Sequence, residues 1–361
     1  MIREILPFKI LIILGIVVFG TGLSIADDNQ VAEVAGAKTG PCYNIAEFAY
    51  SACLNEVRDD YLIAQGNCIN LYGAENRADC REDAEKEFKE AKSLCTDQRI
   101  ARRKLCANLS ESRYDPRLDP ANFIDPTLID AGNANPYFPL IPGTEWVYYA
   151  LDEDDNVLER ITVIVKNEVK SIEYPEESGN VFLCAVVNDV VEEFIGDPGD
   201  DPEDDNNYIV IEDTDDWYIQ HKDTRDVWYM GEISQAFEQD AAGETELVEL
   251  EGSWKAGRDF DKPGILMYGD PDPAVVTPRT YRQEFSLGNA EDVAKLLKKG
   301  GIEVIVPFGT FNVDVVKTKE WTPVEPDVKE FKYYAPGVGM IKEENPEDGE
   351  AVVLIDMTPA P

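Results

Sequence analysis

The sequence predicts an α+β fold: an N-terminal disulfide-stapled helical hairpin followed by a curved antiparallel β-sheet, half-barrel or sandwich-like. Three observations predict it. Six of the seven cysteines lie between residues 42 and 106 at palindromic spacings. From Thr144 onward the chain breaks into short β-branched and aromatic runs separated by turns. Charge is also divided unequally, because residues 136–361 carry 51 acidic and 18 basic side chains while residues 42–109 carry 12 and 10.

The first element is a targeting segment. Arg3 and Lys9 supply a positive start, Ile10 to Leu23 are almost wholly apolar, and Ser24-Ile25-Ala26 offers a small-x-small cleavage site. This is the pattern of a secretory signal peptide over residues 1–26. Its apolar run is short for a membrane span. No cysteine precedes Cys42, so lipid attachment at the cleavage site is not expected. No later stretch is apolar enough to cross a membrane, and a secreted or periplasmic location follows. Residues 27–41 read as a flexible N-terminus.

Residues 42–109 form the second element. The spacings of Cys42, Cys53, Cys68, Cys80, Cys95 and Cys106 run 11, 15, 12, 15, 11, symmetric about Ala74. At helical pitch, steps of 11 and 15 bring the next cysteine back to within roughly 20° and 60° of the same face. Gly73 suits a helix end, and Asn76 with Asp79 a new start. Folding at Ala74 pairs Cys42 with Cys106, Cys53 with Cys95 and Cys68 with Cys80. Phe48, Val57, Tyr61, Ala64, Leu71, Phe88 and Leu94 are the expected apolar contacts of this thin core. Three bridges at about 2–4 kcal/mol each would offset its small size. Zinc-type spacing is absent. The basic cluster Arg99, Arg102, Arg103 and Lys104 marks a face where a protein partner could dock.

Prolines at 116, 120 and 126 mark residues 110–135 as a linker, and residues 136–361 as the β domain. Glu145–Leu151 and Val157–Lys166 read as a hairpin with an acidic tip, and Val181–Phe194 as a long apolar strand. Trp217–His221 and Val227–Met230 read as a second hairpin; Asp292–Lys299 is open between helix and strand. Strands this frequent imply antiparallel sheet.

A formal charge of −39 disfavours nucleic acid and anionic membrane surfaces as partners. The aromatic hairpin is the leading binding candidate. If Trp217 pairs with Tyr229, then Tyr218, Trp228 and Met230 share one face, and with Trp254 they offer a platform for a small apolar or sugar ligand. Asp197, Asp200, Asp201, Asp204 and Asp205 crowd one loop that could hold calcium, the one cofactor considered, though no EF-hand pattern is present. His221 is the only histidine, which leaves a single candidate base. Cys184 sits in an apolar strand and reads as an inert thiol.

Asn135-Pro136-Tyr137-Phe138-Pro139-Leu140 with Pro142-Gly143-Thr144-Glu145-Trp146-Val147-Tyr148 resembles the opening of an uncharacterised group of exported bacterial β-rich proteins. Glu212-Asp213-Thr214, Asp216-Trp217-Tyr218, Gly252-Ser253-Trp254 and Tyr333-Tyr334-Ala335-Pro336-Gly337-Val338-Gly339-Met340-Ile341-Lys342-Glu343 continue the match. The closing segment is also similar to that of exported proteins with a half-barrel sheet, akin to periplasmic lipoprotein carriers. The resemblance implies a concave apolar face and carries over no activity, and the cysteine hairpin lies outside it.

Taken together, an exported noncatalytic binding module is expected, holding a hydrophobic or carbohydrate ligand on a concave aromatic-rich sheet. A carboxylate-based cell-envelope hydrolase and a calcium-dependent surface or adhesion protein are the alternatives.

Overall fold

The computed structural model describes residues 40–109, 113–196, 199–240, 242–250, 252–346 and 349–360. The expected signal peptide, most of the expected flexible N-terminus and Asp197 lie outside the described residues. The chain forms two compact units, one helical, ending at Tyr114 and including Pro323–Asp327, and one β-rich, Asp115–Thr322 with Val328–Pro361.

In the helical unit, α1 (Pro41–Ile69) and α2 (Ala74–Leu109) run antiparallel around a turn at Gly73, whose φ of 87° favours glycine. Pro41 occupies the start of α1, where its missing N–H is no loss. Disulfides join Cys42 to Cys106, Cys53 to Cys95 and Cys68 to Cys80. The bridged Cα atoms stand 5.6 to 5.8 Å apart. At this separation small residues fill the seam, and Ala46, Ala49 and Ala84 are buried. The expected core is therefore corrected in part. Phe48, Leu71 and Leu94 point outward, with Phe48 75% exposed, whereas Tyr61 meets Phe88 at 4.7 Å. Arg99 and Arg103 of the basic cluster both grip Glu47 across the seam, at 2.7 and 2.6 Å. No helix of the described residues is long and apolar enough to cross a membrane.

The β unit contains β1 (Glu145–Leu151), β2 (Val157–Glu173), β3 (Val181–Phe194), β4 (Tyr208–Gln220), β5 (Val227–Gln239), β6 (Thr245–Glu249), β7 (Trp254–Lys255) and β8 (Lys262–Met267). It continues with β9 (Thr280–Arg282), β10 (Glu284–Phe285), β11 (Val293–Lys299), β12 (Val304–Val306), β13 (Gly309–Phe311) and β14 (Val316–Trp321). The series ends with β15 (Phe331–Ala335), β16 (Gly339–Glu344) and β17 (Ala351–Thr358). Residues 293–299, ambiguous in sequence, are strand.

One antiparallel sheet takes in all but β12 and β13. Its first arm is a meander from β1 to β5 that continues to β8 and β10. The second arm starts where β17 pairs with β1, then steps back through β16, β15, β14 and β11 to β9. Because β8 and β9 also approach each other, the sheet is nearly closed into a barrel. Alternation along the strands sends one side chain in two into the interior, as in β1, where Trp146, Tyr148 and Ala150 are buried and their neighbours are not.

From Asp115 the proline-rich segment packs on the outer face of this sheet. Tyr174 donates its O–H to Pro116 O, Phe123 meets Phe182 at 5.5 Å and His221 at 5.6 Å, and Ile124 N–H donates to Gln220 O. This segment covers the end of β4, where Asp216 to Gln220 are buried at every position.

Candidate functional site

The interior of the β unit is rich in acids. Twelve carboxylic side chains of the described residues are at most 9% exposed, while Arg282 and Lys332 are the buried bases of this unit. Lys332 sits among Glu343 at 3.3 Å and Glu320 and Glu330 at 3.4 Å. Glu320 is held further by Thr318, Tyr334 and Gln283, which donate at 2.8, 3.1 and 3.2 Å. One ammonium cannot neutralise so many carboxylates, so burial keeps several of them protonated. Burial pushes Glu212 up to about 8 and Asp216 and Asp292 up to about 7; Glu232, Glu284 and Glu343 are also raised.

A cavity of about 30 Å³ opens into this interior, walled by Phe138, Leu140, Trp146, Tyr148, Val163, Val165, Val187, Tyr218 and Met340, with Asp189 and Asp216 as its acids. Strand parity places these acids. Asp189 of β3 stands opposite Val163 of β2 and Thr214 of β4, and Asp216 opposite Val187 and Glu232, all on inward positions. Tyr229 donates its hydroxyl to Asp216 Oδ1 at 2.7 Å. Oδ1 of Asp189 is buried and has no hydrogen-bond partner. Burial first, then the neighbouring Asp216 and Glu212, raise Asp189 well above the usual carboxyl range, against the opposing pull of Lys332.

The segment before β1 closes the cavity, and its peg is Asn135, which is fully buried. The Asn135 side chain accepts the N–H groups of Tyr137 and Phe138 at 2.8 and 3.0 Å and donates to Arg225 O and Met267 O. Phe138 is thereby set edge-on against Tyr218 at 5.1 Å. On the opposite side, Gly337 N–H donates to Pro136 O, Trp146 Nε1 donates to Val338 O at 2.7 Å, and Tyr148 donates to Met340 O at 3.1 Å. Four segments that carry the resemblance thus meet at one cavity.

Of the four residues named from the sequence as ligand contacts, only Tyr218 lines it. The exposed aromatic platform is corrected: Tyr218, Met230 and Trp254 are at most 2% exposed, and Trp228 is half-buried and pairs with Ile265 of β8. The pairing of Trp217 with Tyr229 is also corrected. Tyr218 pairs with Tyr229, and a bulge places Trp217 opposite Gly231. A one-residue change of register exchanges the two faces. The signal for Asp189 was present, as a lone acid at the inward parity of Val187-Asn188-Asp189-Val190-Val191.

In the acidic loop, Asp200, Asp201, Asp204 and Asp205 are exposed. Asp204 accepts the Asn206 N–H at 3.0 Å, and Asp205 pairs with Arg160 at 2.6 Å. Among the described residues no group of three His, Cys, Asp or Glu is arranged to hold a metal. His221 Nδ1 accepts the N–H groups of Asp223 and Thr224, each at 3.2 Å, and so caps its own turn. Cys184 is fully buried, and burial raises its thiol, which leaves it unreactive.

No protein-family model matches the chain, and no curated protein does. Among solved structures, the chain is similar to a protein of Bacteroides fragilis described as exported with a YmcC-like fold, at 13% identity and a TM-score of 0.32. It is similar also to a protein of Parabacteroides distasonis described as a lipoprotein, at 13% identity and a TM-score of 0.30. Each likeness covers 62% of this chain and 99% of the other.

Proposed function

We propose that the chain is an exported noncatalytic binding protein whose β unit takes a small ligand in the cavity closed by Asn135–Leu140. The observation that carries this reading is the Asp189 oxygen, buried in an aromatic-walled cavity with nothing bonded to it. An unsatisfied buried acceptor costs about 1–3 kcal/mol, which a bound donor would recover. The volume favours a small group or the head of a larger molecule over a whole sugar ring. Three disulfides fit export to an oxidising compartment. The hairpin, cross-linked and bearing exposed Leu62, Ile69 and Tyr72 toward its turn, is the part suited to contact a protein partner.

A second reading has its own observation. Asp189 and Asp216 are two carboxyl groups facing one aromatic cavity, both raised by burial, which is the pairing a carboxylate hydrolase uses. The small volume favours a small group over a sugar ring, so binding is the reading preferred.

Native mass spectrometry of mature protein isolated from its own host, with and without chelator, tests both. An excess mass that survives chelation and leaves on denaturation supports a carried ligand. An excess lost in chelator moves the function to calcium and the acidic loop. A bare mass, together with turnover of cell-envelope glycans that Asp216→Asn abolishes, replaces binding with hydrolysis.

A further inference from the structure

The cavity has a chemical bias that apolar walls do not explain. Four of its lining side chains are aromatic, Phe138, Trp146, Tyr148 and Tyr218; two are acids, Asp189 and Asp216; none is basic. Lys332, the cation whose charge acts on Asp189, is already committed to three glutamates. Asp216 has the Tyr229 hydroxyl, whereas Asp189, 6% exposed, keeps one oxygen without a hydrogen bond.

We propose that this cavity is a site for a small organic ammonium head, a primary or methylated amine whose cationic end meets the Asp189 carboxylate among the aromatic rings. The inference rests on the binding-protein reading above and names the ligand class of that same site. Aromatic faces attract organic cations, and the attraction grows when water is excluded. A hard metal ion instead needs six or more oxygens, and the Val, Leu and Met walls supply none. Size agrees as well: about 30 Å³ exceeds the roughly 10–15 Å³ that a single water needs, which leaves room for an ammonium or methylammonium head. A longer tail would leave past Phe138, the half-buried ring of the wall.

Proton balance follows from the surroundings. Burial first, then the neighbouring Asp216 and Glu212, disfavour a charge on Asp189, Lys332 opposes them, and Tyr148 faces it as a neutral phenol. The empty site therefore holds Asp189 as a carboxylic acid. When an alkylammonium enters, the Asp189 O–H bond breaks and its proton leaves to solvent. The ammonium N–H then donates to the carboxylate formed. One cation enters and one proton leaves, so the charge of the interior is unchanged.

The test is calorimetric titration of the full mature chain with methylammonium, tetramethylammonium and methanol, at one pH in two buffers of different ionisation heat. Methylammonium is expected to bind with release of about one proton. Tetramethylammonium, too large for the cavity, should bind at least roughly tenfold more weakly, and methanol should not bind measurably. Asp189→Asn keeps the shape, removes the charge, and should weaken methylammonium by roughly tenfold or more. Asp152→Asn, on an exposed turn, should leave binding unchanged. If Asp189→Asn does not fold, Phe138→Leu replaces it and should weaken methylammonium several-fold. No methylammonium binding, equal binding by Asp189→Asn, or binding without proton release would overturn the inference. A neutral organic mass retained in native mass spectrometry, with no methylammonium binding, overturns the ammonium class and leaves the binding-protein reading intact. Failure of both overturns both.

Discussion

Tyr218 stacks on Tyr229 with ring centroids 4.9 Å apart, and the Tyr229 hydroxyl reaches past that stack to Asp216. The two tyrosines face each other across the β4–β5 pair, and Trp254 closes the stack edge-on at 5.1 Å. The packing and the polar contact can be separated. Tyr229→Phe retains the stack and deletes the donor to Asp216 Oδ1. We expect a loss of about 1–3 kcal/mol. The loss should be larger at pH 8, where Asp216 is ionised, than at pH 5. Urea midpoints at the two pH values check this, and equal losses would detach the hydroxyl from Asp216.

Acid should stabilise the β unit. An acid whose folded pKa is raised binds its proton more tightly when folded. Its stabilisation is therefore complete below the unfolded value near 4 and is lost as pH rises through the folded value. Asp216 and Asp292 at about 7 and Glu212 at about 8 set the window. The melting temperature is thus expected to fall from pH 5 to pH 8.5. Glu47, lowered first by its hydrogen bond to Arg99, acts oppositely in the hairpin, whose stability should drop below about pH 4. Melting curves across pH 3.5–9 check both. Glu212→Gln should flatten the alkaline slope, and a melting temperature that rises toward pH 8.5 would refute the protonated interior.

Gly231 is the point at which β5 can admit a third strand. It pairs with Trp217 on one side and Lys255 on the other, at a φ of 129°. A Cβ there would press into Trp254 O and stand 2.7 Å from Lys255 Cα. Gly231→Ala should therefore cost about 2–4 kcal/mol through backbone strain and overpacking. Gly179→Ala, also at positive φ but with open space around it, should cost less. Denaturant midpoints of the pair separate crowding from φ strain.

How much of this was legible depended on whether a pattern was local. The cysteine palindrome reports a helix pair directly, because helical pitch and a single turn relate each cysteine to its mirror position. The strand segments are equally local, since turn residues bound them. Register is not local. The six-residue turn from His221 to Asp226, closed by the His221 N–H to Asp226 O bond, moves the pairing by one residue, and the Met230 bulge moves it again. Each shift exchanges faces, so the aromatic platform became core. Nor could composition show that acids would face inward, because acidic side chains are ordinarily solvated. Only strand parity at Asp189 and Asp216 held that information.

The hairpin should depend on its bridges far more than the β unit does. Its seam is lined by alanine and cysteine while Phe48, Leu62 and Ile63 face outward, so little apolar burial remains once the bridges are cut. Each bridge contributes about 2–4 kcal/mol. Reduction under native conditions is therefore expected to abolish much of the helical circular dichroism at 222 nm and leave the near-ultraviolet signal of the buried tryptophans. Cys184 is too buried to exchange with the reductant. Simultaneous loss of both signals would show that the two units fold as one.

The closure of the cavity rests on Asn135. Its side chain makes four hydrogen bonds, and its own N–H donates to Gln220 Oε1 at 2.8 Å, so one buried residue ties Phe138 to the strands beneath. Asn135→Ala orphans two N–H groups and two carbonyls at once. Four such losses at about 1 kcal/mol each give roughly 4 kcal/mol. Asn135→Asp keeps both acceptor bonds while losing both donor bonds, and it should recover part of the loss at low pH, where the carboxyl is a neutral donor. If Asn135 is the peg, amide exchange in Asn135–Leu140 will accelerate in Asn135→Ala while exchange in β2 and β3 stays slow. Uniform acceleration through those strands would mean that the segment is part of the barrel's cooperative core, and that closure of the cavity cannot be loosened without unfolding the sheet.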